Sequence, residues 1–374
     1  MKKILHISKY YYPFIGGVEQ VARDAVHALQ GKLEQKVLCF DHDNSEKNNT
    51  IDDVEVIRCK CQCKIFSQSI SFEMAHKFKE IVKSFKPDYI VFHYPNPFFA
   101  GILLRNIPKE TKLIVYWHLD ITRQKILGKL FHFQNIALLK RANKIVATSP
   151  NYVEGSKYLS QFKSKCVVIP NCINEDRLTT TDKASELAAE IKKENAGKTI
   201  CLSVGRLVPY KGFDYLIKSA KMLDDNFVFY IIGDGEQKKN LLRQSKNCPS
   251  IKFLGKLTDD ELKAYYLAAD IFCFSSITKN EAFGIALAEA MYFGLPAITY
   301  TIPGSGVNYV SLNRETGLEV PNGDVAAYAN AVKELANNSE HRNKFGEKAS
   351  TRVQENFLFK QYKNALIKLI LDGN

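Results

Sequence analysis

Short β-rich runs alternate with amphipathic helical periods along almost the whole chain, and this alternation restricts its fold more than any other feature. A β-rich run at Lys3–Ile7 precedes a helical period at 18–30, and the order strand, helix, strand then repeats. Because a helix between two strands normally returns the chain to a parallel neighbour, this order predicts an α/β protein with helices on both faces of a parallel sheet. Further strands are predicted at 36–40, 54–59, 88–92, 113–117, 144–148 and 167–169, and helices at 72–85, 97–104, 122–140 and 151–159.

The alternation is interrupted once, at 170–198, where polar and charged residues replace the apolar runs. It restarts with a predicted strand at Thr199–Val204 and continues into several final helices. A chain of 374 residues is too long for one ordinary hydrophobic core. We therefore predict two doubly wound, Rossmann-like domains, residues 1–175 and 176–354.

The N-terminus and the cysteines indicate where the chain works. The basic and apolar start is interrupted by Lys9 and Glu19 and lacks a small-residue cleavage site, so we interpret it as a first strand inside the cell. Nine scattered cysteines, an odd number, favour reduced thiols in the cytoplasm. Cys59, Cys61 and Cys63 have no histidine or second cysteine pair nearby, so buried thiols are favoured there over a metal site.

A glycine pair, Gly16-Gly17, stands between the first predicted strand and the first predicted helix. Such a pair lets the backbone approach a ligand closely and leaves free N–H groups at a helix start, which suits an anion. A simple tight turn explains the pair equally well. The dinucleotide fingerprint G-x-G-x-x-G is absent here.

Two further glycine-bounded loops follow strands of the second half. Gly205-Arg206 and, five residues on, Lys211 lie in the loop after Thr199–Val204, and ligands of open α/β sheets bind beyond the carboxyl ends of strands. An arginine and a lysine on that loop can converge on one diphosphate. Gly233-Asp234-Gly235-Glu236 resembles a shortened dinucleotide motif, but a plain strand-to-helix turn explains it equally well.

The segment N-E-A-F-G-I-A-L-A-E at 280–289 carries the most information about chemistry. Its apolar pattern predicts a buried helix from about Gly284, with Glu281 in the preceding loop and Glu289 in the second turn. A buried carboxylate is costly unless hydrogen bonds are donated to it, and sugar hydroxyls are such donors. Free amides at 283–285 and the helix dipole favour a nearby anion. The alternative is that Glu281 caps the helix and Glu289 is a satisfied structural acid.

His118 follows the predicted strand at 113–117. A lone histidine is usually structural. At the carboxyl end of a strand, however, it is well placed to touch a ligand.

The motifs together resemble those of retaining glycosyltransferase family 4. The resemblance is carried by G-G-V-E near the N-terminus, then G-R-x4-K-G, G-D-G-E, F-L-G-K-L and E-A-F-G-I-A-L-A-E, in this order over nearly the whole chain. It implies the GT-B fold, in which two Rossmann-like domains face a cleft. It also implies that helices at about 355–374 cross back onto the N-terminal acceptor domain, whereas 176–354 forms the nucleotide-sugar donor domain.

The resemblance implies a role for each candidate residue. Gly16 and Gly17 would meet the donor diphosphate, and His118 would contact the donor sugar near the reacting centre. Arg206 and Lys211 would bind the phosphates and stabilise the leaving nucleotide. The remaining donor-binding residues would be Gly205, Gly233, Leu257 at the nucleobase, Glu281 on the sugar hydroxyls with the backbone at Ala282, Phe283, Gly284 and Ile285, and Glu289 on the ribose. No metal and no cofactor would be required, since the basic groups and the helix start would neutralise the departing phosphate.

The charge distribution indicates the acceptor side. Of the net charge of +12, residues 1–175 contribute 26 Lys and Arg against 16 Asp and Glu, a balance of +10. A basic amphipathic helix there presents Lys77, Lys79 and Lys83, and Arg123 and Lys125 follow in another. Such helices can lie on an anionic membrane, although packing one face in the core explains each equally well. We therefore predict a lipid-linked or glycan acceptor and a site of action at the inner face of the cytoplasmic membrane.

Two alternatives remain open from the sequence. One is a nicotinamide-dependent oxidoreductase on a Rossmann fold. The chain lacks the G-x-G-x-x-G fingerprint of that class, and this function would not explain the presence of Glu281 and Glu289. The other is a non-catalytic protein that binds nucleotides or nucleic acid, for which the basic excess shows no recognition motif. We predict a nucleoside-diphosphate hexose as donor, GDP-mannose or a UDP-sugar, and no nucleic-acid partner.

Overall fold

The computed structural model describes residues 1–14, 16–42, 49–65, 68–120 and 131–372. Contacts between Cα atoms divide the chain into two compact units. One comprises Met1–Asn171 and Phe359–Asn374, and the other comprises Cys172–Leu358. Each unit contains a parallel sheet, which confirms the α/β prediction. None of the described helices is both long and apolar enough to cross a membrane.

The N-terminal unit is built on an eight-stranded sheet. The described strands of the unit, inside and outside this sheet, are β1 (Lys3–Ile7), β2 (Glu34–Phe40), β3 (Asn49–Ile51), β4 (Val54–Cys59), β5 (Cys63–Ile65), β6 (Gln68–Ile70), β7 (Tyr89–Tyr94), β8 (Lys112–Trp117), β9 (Lys144–Ala147) and β10 (Cys166–Val168). The sheet order is β10-β9-β8-β7-β1-β2-β4-β3. All pairings are parallel except β3 against β4, and β5 and β6 form a separate antiparallel hairpin.

Five helices connect these strands within the described residues: α1 (Gly17–Ala28), α2 (Phe72–Phe85), α3 (Pro97–Asn106), α4 (His132–Arg141) and α5 (Pro150–Gly155). The predicted helix at 122–140 is therefore present from His132, and residues 121–130 lie outside the described residues. A final helix, Phe359–Ile367, packs against α1 of this unit, and the Tyr362 hydroxyl lies 3.0 Å from the Tyr116 hydroxyl.

Helix α2 shows how the sequence specifies these elements. The Ser71 hydroxyl caps its start by accepting a hydrogen bond from the Met74 amide at 3.1 Å. Met74, Phe78, Ile81 and Phe85 recur at helical spacing and are buried. The stripe buries one face of the helix, so the lysines of the other face point to solvent.

The C-terminal unit is built on a six-stranded, all-parallel sheet. Its strands are β11 (Thr199–Val204), β12 (Phe227–Ile232), β13 (Ile251–Gly255), β14 (Ile271–Phe274), β15 (Ala297–Tyr300) and β16 (Gly317–Val320), in the order β13-β12-β11-β14-β15-β16. Its helices are α6 (Glu175–Leu178), α7 (Asp182–Glu194), α8 (Phe213–Ala220), α9 (Lys238–Gln244), α10 (Asp259–Ala268), α11 (Ile285–Tyr292), α12 (Val307–Val310), α13 (Val325–Asn337) and α14 (Ser339–Asn356).

Helix α7 lies inside the segment that we interpreted as an interruption of the fold. Thr181 caps it by accepting a hydrogen bond from the Ala184 amide at 3.2 Å. Its buried face consists of Ala184, Ala188 and Ile191 only. Two of these side chains are small, so the apolar stripe is too weak to stand out among the charged residues of the exposed face.

Candidate active site

The loop after β11 carries the two basic residues that the sequence singled out. Lys211 ends a short 3-10 turn, and Gly212 follows with φ +65°. A Cβ atom on Gly212 would lie 2.1 Å from the carbonyl oxygen of Ser275, so only glycine fits where the loop crosses the end of β14. The Ser275 hydroxyl donates to the Lys211 carbonyl at 2.9 Å, which fixes the loop to the neighbouring strand. Arg206 remains exposed on the outer part of the loop.

Lys211 and Glu281, which lie far apart in the sequence, form an ion pair at this point. Their side chains are only 12% and 11% exposed. The Ser276 hydroxyl donates to Oε2 of Glu281 at 3.1 Å, and Lys211 Nζ lies 5.1 Å from the centre of the Phe274 ring. The hydrogen bond from Ser276 and the ion pair with Lys211 both use Oε2, and no described residue donates to Oε1 of Glu281. One carboxylate oxygen therefore remains available to a ligand hydroxyl.

Helix α11 begins at Ile285, close to the predicted start at Gly284, and Glu281 lies in the preceding loop, as predicted. Gly284 is its N-cap, with φ +93°, and no side chain caps the helix. In the part of the chain that the structure describes, the amides of Phe283, Gly284 and Ile285 donate to no protein acceptor. Three free amides at a helix start make a binding place for an anion. Glu281 is thus not the helix cap, which removes the structural explanation that the sequence offered for it.

Glu289 lies in the second turn of α11, as predicted, and it already has protein partners. Arg177 donates to Oε1, and the Tyr266 hydroxyl donates to Oε2 at 3.1 Å. Burial raises the pKa of the Glu289 carboxyl, and the Arg177 guanidinium opposes that shift. Arg177 also pairs with Asp259 at 3.0 Å. The sequence gives no signal for Arg177, because this residue lies on the four-residue helix α6 within the polar segment 170–198.

The remaining C-terminal candidates lie on neighbouring loops of the same sheet edge. Gly233 follows β12, and a Cβ atom on it would lie 2.0 Å from the carbonyl oxygen of Gly205. Leu257 follows β13 and is half-buried. The four strands β13, β12, β11 and β14 are consecutive in the sheet, so their carboxyl-end loops lie side by side. Sheet order thus gathers Leu257, Gly233, the Arg206 loop and Glu281 at one edge.

The N-terminal candidates lie in the other unit. Gly16 precedes α1 in an extended conformation, and Gly17 opens the helix. A Cβ atom on Gly17 would meet no atom of the described residues within 4 Å, so packing against them does not require glycine there.

His118 is buried, and burial lowers its pKa to about 3. Its Nε2 lies 3.0 Å from Nδ1 of His93, the last residue but one of β7. In the sequence His118 stands as a lone histidine. The sequence feature that indicates its partner is His93, a second histidine directly after the predicted strand at 88–92.

Three of the five acceptor candidates lie on α2, within the described residues. Lys77 forms an exposed ion pair with Glu80 at 3.0 Å, and Lys79 and Lys83 are exposed. Arg123 and Lys125 lie outside the described residues. Among the residues that are described, no group of three His, Cys, Asp or Glu side chains could hold a metal ion.

Two family models together match most of the chain. Residues 185–352 match glycosyl transferases group 1, and residues 15–177 match glycosyltransferase family 4. The O-antigen chain mannosyltransferase C of Escherichia coli is 30% identical, over 98% of this chain and 97% of the relative. The D-rhamnosyltransferase WbpZ of Pseudomonas aeruginosa is 28% identical, over 95% and 92%.

Solved structures show the same fold at lower sequence identity. The sucrose-phosphate synthase of Thermosynechococcus elongatus superposes with a TM-score of 0.82 at 20% identity, covering 99% of this chain and 98% of that one. Anabaena HepE, solved with UDP and glucose, superposes with a TM-score of 0.77 at 16% identity, covering 99% of each chain. The GT-B prediction is confirmed by these likenesses.

Proposed function

The chain belongs to glycosyltransferase family 4, and on that premise we propose that it transfers a hexose from a nucleoside-diphosphate sugar to a glycan or lipid-linked acceptor, with retention of anomeric configuration. The observation that carries the proposal is the sheet edge at which a buried Lys211–Glu281 pair meets the free amides of α11. Membership of this family excludes the oxidoreductase and the non-catalytic binding protein that the sequence left open.

In this proposal the diphosphate is held by positive groups of the C-terminal unit. The ammonium of Lys211, the guanidinium of Arg206 and the amides at 283–285 surround the phosphates. Negative charge grows on the departing phosphate as the glycosidic bond breaks, and these groups stabilise it without a metal ion. The acceptor hydroxyl attacks from the face that the phosphate leaves and transfers its proton to the departing phosphate, so the new bond keeps the anomeric configuration.

The two glutamates then bind the neutral parts of the donor. Oε1 of Glu281 accepts hydrogen bonds from sugar hydroxyls while Lys211 and Ser276 hold Oε2. Glu289 receives the ribose hydroxyls, since each of its carboxylate oxygens can accept a second hydrogen bond beside Arg177 or Tyr266. Gly17 leaves room for the diphosphate to approach α1, and His118 contacts the donor sugar.

The relatives favour a particular donor. Those at 30% and 28% identity are named for the transfer of mannose and D-rhamnose. We therefore propose GDP-mannose as donor and a surface polysaccharide or glycolipid as product, with UDP-sugars as the alternative. The C-terminal unit is the donor domain and the N-terminal unit the acceptor domain in this scheme.

The experiment is incubation of the purified protein with a panel of nucleotide sugars, read as nucleotide release. Lys211→Ala and Glu281→Ala should each abolish release from the preferred donor, because each removes a group from the phosphate or sugar position. Lys218→Ala is the matched control, since Lys218 is 57% exposed and its contacts, an ion pair with Asp214 and the face of the Tyr215 ring, lie on its own helix α8. Release at the wild-type rate in both site variants would reject the proposal.

A membrane-bound acceptor is the second part of the proposal. The exposed lysines of α2 lie on a helix that begins with Phe72, which is 75% exposed. A basic helix face with a projecting aromatic side chain suits an anionic lipid surface. Sedimentation with anionic vesicles should be lost when Lys77, Lys79 and Lys83 are changed to glutamate. Undiminished sedimentation of that variant contradicts the placement at the inner face of the cytoplasmic membrane.

A further inference from the structure

Three buried histidines share one face of the N-terminal sheet. His6 in β1, His93 in β7 and His118 just after β8 are 0%, 1% and 5% exposed. His6 pairs in register with Val91, and His93 pairs with Tyr116. Because side chains alternate along a strand, residues 91 and 93 share a face, as do 116 and 118. All three histidines therefore point to the same side of the sheet.

One hydrogen bond links the rings of His93 and His118. Nδ1 of His93 lies 3.0 Å from Nε2 of His118, and the two rings are inclined by only 10°. Burial lowers the pKa of both side chains, so both are neutral at pH 7. A neutral imidazole carries one proton, so one of the facing nitrogens donates and the other accepts. If Nε2 of His118 carries the proton, its Nδ1 is bare and can only accept a hydrogen bond, and the reverse holds if Nε2 is bare.

The neighbouring strand β1 brings a further buried histidine, His6, to the same face of the sheet as His93. Nε2 of His6 donates to Oε1 of Gln35 at 2.9 Å, and the Gln35 amide is oriented by its own bond to the Val26 carbonyl. Nδ1 of His6 is therefore an acceptor. This atom, Oγ of Ser8 and Nε2 of His93 are all buried and have no partner among the described residues.

The register of β1 with β7 places the three residues that carry these atoms on one face of the sheet. Ser8 follows the registered pair of Ile7 with Phe92, which places it beside His93. Buried polar atoms without protein partners are normally joined by an internal water that makes two to four hydrogen bonds. Such a water would fix the Nε2 side of the His93 ring.

We propose that His93 is a positioning residue that holds His118 in one tautomer and one ring orientation, so that Nδ1 of His118 meets the donor sugar. The inference rests on the proposed function, in which His118 contacts that sugar. A neutral and fixed ring does not repel the positive charge that develops at the anomeric carbon during transfer. A ring that is free to turn misplaces its one useful nitrogen, and misplacement of about 1 Å can cost a hundredfold in rate.

Three substitutions separate positioning from packing. In His93→Asn the amide occupies the place of Nδ1 and can still bond to His118, whereas in His93→Gln it occupies the place of Nε2. His93→Phe keeps the ring and loses both nitrogens. We expect His93→Asn to keep kcat within about threefold, and His93→Gln and His93→Phe to lower it at least about tenfold, with KM for the donor little changed. Equal activity of the Asn and Gln variants would overturn the proposal.

A second readout does not depend on turnover. Nitrogen-15 spectra of histidine-labelled protein report the tautomer, with the His118 signals identified by their loss in His118→Asn. We expect a single His118 tautomer in wild type and in His93→Asn, and a mixture in His93→Phe or, if that variant fails to fold, in His93→Gln. An unchanged single tautomer in the variant used overturns the proposal. A wild-type protein that releases no nucleotide from any donor instead refutes the proposed function, and the tautomer measurement remains interpretable.

Discussion

Removing the ammonium of Lys211 should separate the structural role of the Lys211–Glu281 pair from its role in transfer. Lys211→Met keeps most of the side-chain volume but leaves the Glu281 carboxylate, 11% exposed, with Ser276 as its remaining donor. Breaking a buried ion pair from one side costs about 3–5 kcal/mol, because the other charge is left uncompensated. Since the pair is partly exposed and Ser276 still donates to Glu281, we expect Lys211→Met to lower the free energy of unfolding by about 3 kcal/mol.

The matching double variant provides the control. Lys211→Met with Glu281→Gln removes the unpaired charge and keeps an amide oxygen for the Ser276 hydroxyl. We expect the double variant to recover at least half of the lost stability, while nucleotide release stays abolished in both variants. A loss of about 3 kcal/mol corresponds to a fall of roughly 6–12 °C in Tm for a unit of this size.

The assay is urea unfolding followed by circular dichroism at 222 nm, paired with nucleotide release at saturating donor. The single tryptophan, Trp117, lies in the N-terminal unit and so does not report on this site directly. Two results would refute the reasoning. One is a Lys211→Met protein as stable as wild type, and the other is a double variant no more stable than the single one.

Two further predictions concern stability. Burial lowers the pKa of His6 from 6.5 to about 4, so the unfolded chain takes up a proton first as the pH falls. The stability from neutral His6 is fully present above pH 6.5 and is lost as the pH falls towards 4. His6→Gln keeps the hydrogen bond to Gln35 but has no group that titrates in this range. Between pH 7 and 5 the unfolding free energy of the variant should therefore fall about 2 kcal/mol less than that of wild type. Equal falls of the two proteins in urea titrations would contradict this prediction. Gly212→Ala should destabilise the protein several times more than Gly197→Ala. Both glycines have positive φ, but only at Gly212 would the new Cβ atom lie 2.1 Å from a backbone oxygen, that of Ser275. Equal shifts in Tm would show that this contact relaxes.

The sequence by itself determined the fold class and the family. Strand and helix periods specified the parallel sheets, since local periodicity reflects which face of each element is buried. The strands Lys3–Ile7 and Thr199–Val204 and the helix Phe72–Phe85 agree with the predicted bounds. Helix α7 was missed because its buried side chains are mostly alanine. The roles of the candidate site residues stay predictions.

Only the tertiary structure decided which charged and polar groups meet. The Lys211–Glu281 pair depends on β11 and β14 being neighbours in the sheet, and the His93–His118 pair depends on the register of β7 with β8. Glu289 meets Arg177 across 112 positions of the chain. Sequence periodicity gives the face of an element but not its neighbour, whereas strand order and register set which side chains come within bonding distance. For that reason the sequence suggested the members of the site, and the fold supplied their partners.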